Sequence, residues 1–292
     1  MALLLATVLW GSVFVGTKEV LQGAGPFTVA AARFAIGLVV LLPLAYREGF
    51  RARLAVRRTY LLFGLTGVFL SHGLQNLALL FTSASSAALI VAGMPAAVAL
   101  MAVLFLRERL PPLRLAGIGV SAAGVVLVSG AVPSGSGPEA LLGNVLMVAA
   151  VLAYAAYAAQ GRVLGMEHPA ALTTAASFAT GLLFLLPPAA GELYLLGPPE
   201  LGTGGWLVLL YLGVGATAVT VFLWNHALRS MEAGAAGLYF NLVPVSGLGF
   251  SLLAGESMGA VQLLGGTLAV AGVLLGDHAV RDREQERAEK GA

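Results

Sequence analysis

The sequence contains no cysteine. That excludes a disulfide framework, a thiolate metal site and a cysteine nucleophile. Charge is also scarce. Only 10% of the 292 residues are Asp, Glu, Lys or Arg, whereas soluble domains carry about 25%. Hydrophobic residues make up 59%. No soluble fold hides that much apolar surface, so lipid must solvate much of it. The N-terminus lacks the cationic stretch of a signal peptide and opens directly on an apolar run, so it is expected to be part of the folded protein. A P-loop pattern is missing, which argues against direct drive by ATP. The four His residues are dispersed without paired ligand spacing, so no metal is expected. No cofactor is implied. The net charge of +2 is spread over Arg residues set between apolar runs, a pattern that calls for an orientation argument and not for a nucleic-acid partner.

What is present is a series of apolar runs near the ~20 residues that a spanning helix needs. They cover 2–22, 26–46, 60–80, 83–106, 112–131, 140–160, 169–190, 204–228, 232–254 and 259–277. Pro and Gly punctuate the joints at Gly25-Pro26, Pro111-Pro112, Pro133 to Pro138 and Gly197-Pro198-Pro199. The split between the third and fourth runs rests on the polar cluster Thr82 to Ser86, which suits a tight connection.

Every Lys and Arg except Lys18 and Arg33 falls in the 47–59 and 107–114 loops, at Arg162 and Arg229, or in the tail from Arg281 to Lys290. Alternating spans put all these segments on one side. The positive-inside rule makes that side the cytoplasm and places both termini there. The expected setting is a plasma or inner membrane, crossed many times. Lys18 and Arg33 lie near one outer level and are expected to snorkel outward, or one of them to pair with Glu19, a structural role favoured over contact with an anionic substrate.

The halves resemble each other. Leu9, Val20, Leu21 and Pro26 match Leu152, Val163, Leu164 and Pro169. Asn76, Ala78, Ala84, Leu89 and Pro95 match Asn225, Ala227, Ala233, Leu238 and Pro244. Glu108, Gly117 and Gly124 match Glu256, Gly265 and Gly272. Five spans per half is an odd number, so the second half must insert upside down. The expected fold is therefore an all-α polytopic membrane protein. It has ten transmembrane helices in two inverted five-helix repeats, at 1–131 and 140–280, and a charged cytoplasmic tail at 281–292. A substrate site is expected near the midplane between the halves.

The run Leu9-Trp10-Gly11-Ser12-Val13-Phe14-Val15-Gly16-Thr17-Lys18 resembles the first-helix signature of the EamA branch of the drug/metabolite transporter superfamily. Pro26 with Ala32-Arg33-Phe34 resembles its second-helix start, and Leu106 to Leu110 followed by Gly117 and Gly124 resembles the end of its repeat. Ala254-Gly255-Glu256-Ser257, with Gly265 and Gly272, is the second copy. The second half departs from the pattern at Ala153-Tyr154, where the first half has Trp10-Gly11. The resemblance implies ten helices, termini inside and export of small metabolites such as amino acids.

Polar groups inside a bilayer are costly and are candidates for function. His72, Gln75 and Asn76 share one helical face, and Asn225 and His226 end the eighth run. The twins Asn76 and Asn225 either line one pathway or join helices by hydrogen bonds. Trp10, Tyr154, Tyr157, Trp224 and Tyr239 suit an amphipathic pocket or ordinary packing. Gln160 and Asn241 add hydrogen-bonding groups. Glu108 and Glu256 precede helix starts and are expected to satisfy free N–H groups there. Gly117, Ser121 and Gly124, with Gly265, Ala269 and Gly272, form small-residue stripes suited to close helix packing. Pro95 and Pro244 would kink their spans.

The expected activity is secondary transport, the export of amino acids or amphipathic solutes by alternating access, with a small-molecule substrate and the lipid bilayer as partners and a monomer or homodimer as the unit. An enzyme is not expected: it would need a carboxylate cluster, a metal set or a nucleophile elbow, and Val245-Ser246-Gly247 is too short for one. A lipid-carrier flippase is the alternative reading, followed by an intramembrane enzyme. No run carries a mid-span Asp or Glu, which leaves His72 as the central proton-coupling candidate.

Overall fold

The computed structural model describes residues 1–82, 90–91, 93–108, 110–129, 138–243, 246, 264–265, 267–268, 270–272 and 274–276. The 83–86 part of the expected connection, Pro133, Pro244, Glu256, Ala269 and the 281–292 tail lie outside the described residues. The described regular structure is helical, with no strand among the described residues. Among the described residues, four helices are long and apolar enough to cross a bilayer: Pro26–Arg47, Leu141–Glu167, Ala170–Leu196 and Thr203–Leu228. Val39, Phe105, Leu195 and Leu207 are exposed, as a lipid-solvated surface requires.

The first apolar run is not one helix. It divides into α1 (Ala2–Gly11) and α2 (Val13–Val20) at Ser12. The Ser12 hydroxyl bonds back to the Leu9 carbonyl at 2.8 Å, and a Gly-Ser pair is a known kink site. Helix α3 (Pro26–Arg47) begins on a proline whose missing N–H costs nothing at a first position. Helix α4 (Arg58–Gly64) runs through a π segment, Leu65–Gly73, into α5 (Leu74–Ala78). Then follow α6 (Met94–Leu106), α7 (Pro112–Ser129), α8 (Pro138–Glu167) and α9 (Ala170–Leu196). Helix α10 (Thr203–Gly213) runs through a second π segment, Val214–Val219, into α11 (Thr220–Leu228). Helix α12 (Ala233–Leu238) tightens into a 3-10 turn, Tyr239–Asn241. The two π segments begin at Leu65 and Val214, eleven residues ahead of the matching Asn76 and Asn225.

Helices α3 and α9 run antiparallel and cap each other. Glu192, near the end of α9, accepts the N–H groups of Phe27 and Thr28 at 3.0 and 2.7 Å and the Thr28 hydroxyl at 2.8 Å. Glu48, just past α3, accepts the N–H groups of Ala171 and Leu172 at 2.9 and 3.1 Å. Each carboxylate meets the free N–H groups and the positive end of the partner helix dipole. Glycines permit the closest helix approaches. A Cβ on Gly64 would strike Thr180 and the Gly181 backbone, and one on Gly67 would strike the Tyr157 ring. The small-residue stripes also meet, since a Cβ on Gly117 would lie 2.7 Å from the Gly272 carbonyl.

Several charged groups sit elsewhere than the sequence indicates. Helix α8 extends to Glu167, so Arg162 lies inside it and donates to the Leu228 and Arg229 carbonyls at the end of α11. Arg114 is buried in the first turn of α7 and pairs with Glu232 at 2.9 Å. Glu108 satisfies N–H groups as expected, but those of Ala233 and Gly234 at the start of α12 and not those of the helix that follows it.

Burial pushes the Glu108 carboxyl up from its ordinary value, and Glu232 adds to this, while the Gly234 and Ala233 N–H groups and Arg114 oppose it. A carboxyl raised by folding holds its proton more tightly in the fold. It favours folding below its unfolded value and loses that contribution as pH rises through the folded value. The melting temperature of the wild type relative to Glu108→Gln should therefore decline as pH rises from 4.5 to neutrality. A difference that grows with pH would contradict this account.

Candidate functional site

An aromatic box closes the centre of the molecule. Trp10 from the end of α1 stacks on Phe240 from the 3-10 turn, with centroids 5.2 Å apart and planes at 10°. Tyr154 from α8 stands edge-on to both, at 6.1 and 5.2 Å. Trp224 from α11 lies 4.7 Å from Phe240 and 5.8 Å from Trp10. Each such pair contributes about 0.5–1.5 kcal/mol beyond burial. The sequence delivers these rings from four separate helices because each sits on the inward stripe of its own.

Beside the box is a cavity of about 60 Å³, lined by Trp10, Val13, His72, Gln75, Val91, Met94, Tyr154, Phe240 and Val243. A drug-sized ligand fills about 300–1,000 Å³, so a solute of that size needs the walls to part. His72 comes from the first π segment and faces Tyr154 at 6.4 Å and Phe34 at 5.0 Å. Both His72 ring nitrogens, the Tyr154 hydroxyl and the Trp224 indole nitrogen are buried without a hydrogen-bond partner among the described residues.

Of the residues singled out in the sequence, Trp10, His72, Gln75 and Tyr154 line this cavity, and Trp224 packs against its wall. The others hold helices together or lie apart. The Asn76 side chain donates to the Pro26 carbonyl at 3.1 Å. Asn225 donates to the Thr174 hydroxyl at 2.9 Å and shares hydrogen bonds with the Tyr157 hydroxyl. Gln160 donates to the Thr66 hydroxyl at 3.0 Å and lines a separate groove of about 300 Å³ with Phe105, Leu106 and Val163. Asn241 is buried with no partner for its side-chain polar atoms among the described residues, and Tyr239 packs on the core.

Sequence reasoning selected Tyr239 and missed its neighbour Phe240. The reason is the 3-10 turn. It advances side chains by about 120° per residue and not by about 100°, which shifts the inward face. Val13, Val91, Met94 and Val243 carry no polar signal, so nothing in the sequence separates them from ordinary core.

Arg33 is the most unusual group nearby. It is 1% exposed and does not snorkel, whereas Lys18 is exposed. Its guanidinium donates to the Thr217 hydroxyl at 3.2 and 3.1 Å and to the Thr17 hydroxyl at 3.3 Å. Among the described residues, the one ion pair is that of Arg114 with Glu232, so Arg33 has no carboxylate partner there.

Comparison with known proteins agrees with this architecture. A solved crystal structure superposes with a TM-score of 0.79 at 22% identity, covering 94% of this chain and 95% of that one, which shows a shared fold. An uncharacterized transporter of Archaeoglobus fulgidus is 28% identical over 94% of this chain and 95% of its own length. A probable amino-acid metabolite efflux pump of Salmonella typhimurium is 30% identical over 97% of this chain and 96% of its own. The aromatic amino acid exporter YddG of Ancylobacter novellus is 25% identical over 92% and 95%. The relatives are named as transporters and exporters, not as enzymes. The model of the EamA-like transporter family matches residues 1–130 and 141–275, and with a helical chain, a lipid-facing apolar surface and a central aromatic cavity, the protein belongs to that family of membrane transporters.

Proposed function

We propose that the chain is a secondary transporter that exports small organic metabolites through the central cavity by alternating access between two inverted five-helix repeats. The observation that carries this reading is the cavity itself. It is walled by aromatic and aliphatic side chains, yet the His72 and Tyr154 polar atoms beside it have no partner among the described residues. A buried polar group without a partner costs about 1–3 kcal/mol, and a solute that bonds to these atoms recovers that cost. The relatives named as amino-acid exporters support a small-molecule substrate. The separate matches of the family model to 1–130 and 141–275 support the two repeats. So do the reciprocal caps of α3 and α9 and the π segments at matching positions.

The distribution of Lys and Arg supports cytoplasmic termini in a plasma or inner membrane. The π segments are the natural places for helices to flex, because π bulges leave the regular hydrogen-bond ladder. Proton coupling is expected to be weak, since among the described residues no carboxylate lines the cavity to share a proton with His72.

Efflux of preloaded labelled amino acids and aryl solutes from proteoliposomes tests the reading. Met94→Trp fills the cavity from α6 and should cut efflux at least ~10-fold while monodisperse yield stays near wild type. Undiminished efflux from Met94→Trp would place the pathway elsewhere.

A further inference from the structure

We propose that the central site selects organic monocarboxylates, an apolar body bearing one anionic carboxylate and no ammonium, over zwitterions and amines. This rests on the reading of the central cavity as the solute site. The apolar walls of Trp10, Phe240 and Met94 suit the body of such a molecule. The polar end has two unpartnered groups to meet. A neutral His72 offers one N–H and Tyr154 one O–H, from rings 6.4 Å apart. Two donors on residues that line one cavity suit the two oxygens of a carboxylate.

Hydrogen bonding alone does not fix the sign of the ligand, because a phenol and an imidazole also accept. The charge of Arg33 does. Its neighbour Phe34 packs on the His72 ring at 5.0 Å. Thr17, which holds Arg33, lies one helical turn beyond the cavity-lining Val13. The partners of Arg33 are neutral hydroxyls, and among the described residues no Asp or Glu lines the cavity. A buried cation whose neighbours are neutral leaves a positive field across a medium that screens it poorly. An entering carboxylate gains from that field, and an ammonium group has no carboxylate to receive it.

The test uses three probes with one ring: 3-phenylpropionate, phenylalanine and phenethylamine. Each is titrated into the purified full-length protein in detergent, with tryptophan fluorescence as the readout, since Trp10 lines the site. The anion should bind at least ~10-fold more tightly than either of the others, the effect of one uncompensated positive charge in a poorly screening interior. Equal affinities, a tighter zwitterion or amine, or no binding of the anion would overturn the proposal. Met94→Trp separates this from failure of the underlying reading. Probes that bind as well to Met94→Trp occupy some other site, whatever their order, whereas a cavity site loses all of them. Arg33→Gln should bring the three affinities together. If that variant does not fold, the ranking in the wild type decides alone.

Discussion

Gly64→Ala is expected to remove most of the folded protein. Gly64 ends α4 where it crosses α9, and an added Cβ would overlap the Thr180 hydroxyl and lie 2.5 Å from the Gly181 nitrogen. The hydroxyl is not free to turn away without loss, because it bonds to the Ala176 and Ser177 carbonyls at 2.9 and 3.0 Å. The backbone nitrogen cannot turn at all. The helices must therefore separate, and the same crossing contains Gly181 against Val68. Overpacking of one methyl in a rigid interior costs about 1–3 kcal/mol, and here the displacement spreads along a whole helix pair. Gly191→Ala is the matched control on α9, since nothing lies within 4 Å of its added Cβ. Comparison of monodisperse yields by size exclusion in detergent is the measurement. Equal yields for the two variants would show that the crossing is looser than these distances.

The contacts of this helix with α8 and α9 show what the sequence does and does not reveal. The long helices are legible because lipid forces uninterrupted apolar runs, and the starts of α3 and α9 follow their prolines. The π segments are not legible. An extra residue in a helical turn leaves composition and approximate periodicity unchanged, and it is the packing of Gly67 on Tyr157, ninety residues away in sequence, that gives it a place. The kink at Ser12 is partly legible, since Gly11-Ser12 is a weak point in any helix.

For the site, the rings Trp10, Tyr154 and Trp224 stand out in an Ala- and Leu-rich chain, and they do converge. Asn76 and Asn225 stand out equally and make interhelical hydrogen bonds instead. Polarity at depth identifies a group that must be satisfied, not the partner that satisfies it. Arg33 illustrates the limit best. Its depth follows from its spacing to Pro26, but its burial depends on Thr17 and Thr217, and the second lies 184 residues away in sequence. Glu108 likewise has the residue type of a cap, while the helix it caps begins 125 residues later.

The paired caps Glu48 and Glu192 provide the other large effect, and an additive one. Glu192→Ala removes three hydrogen bonds at the start of α3, and Glu48→Ala removes two at the start of α9. Bonds to a charged acceptor contribute about 1.5–3 kcal/mol, and loss of a helix cap typically costs about 1 kcal/mol, up to about 2. Each variant should lose about 1–3 kcal/mol of stability, Glu192→Ala the more of the two. The 22 residues of α3 separate the two sites by roughly 33 Å, beyond the range of direct coupling. The double variant should therefore lose about the sum, roughly 2–6 kcal/mol, if the caps act only on their own helix ends. A loss well below the sum would mean that releasing one end already frees the other, so that α3 and α9 separate as one unit. Thermal unfolding of the four proteins in the same detergent measures this directly. Glu48→Gln and Glu192→Gln supply the check on charge: a Gln oxygen still accepts an N–H but lacks the attraction to the helix dipole, so these variants should fall between wild type and Ala. If the Gln variants match the Ala variants, the charge and not the hydrogen bond holds the two helices end to end.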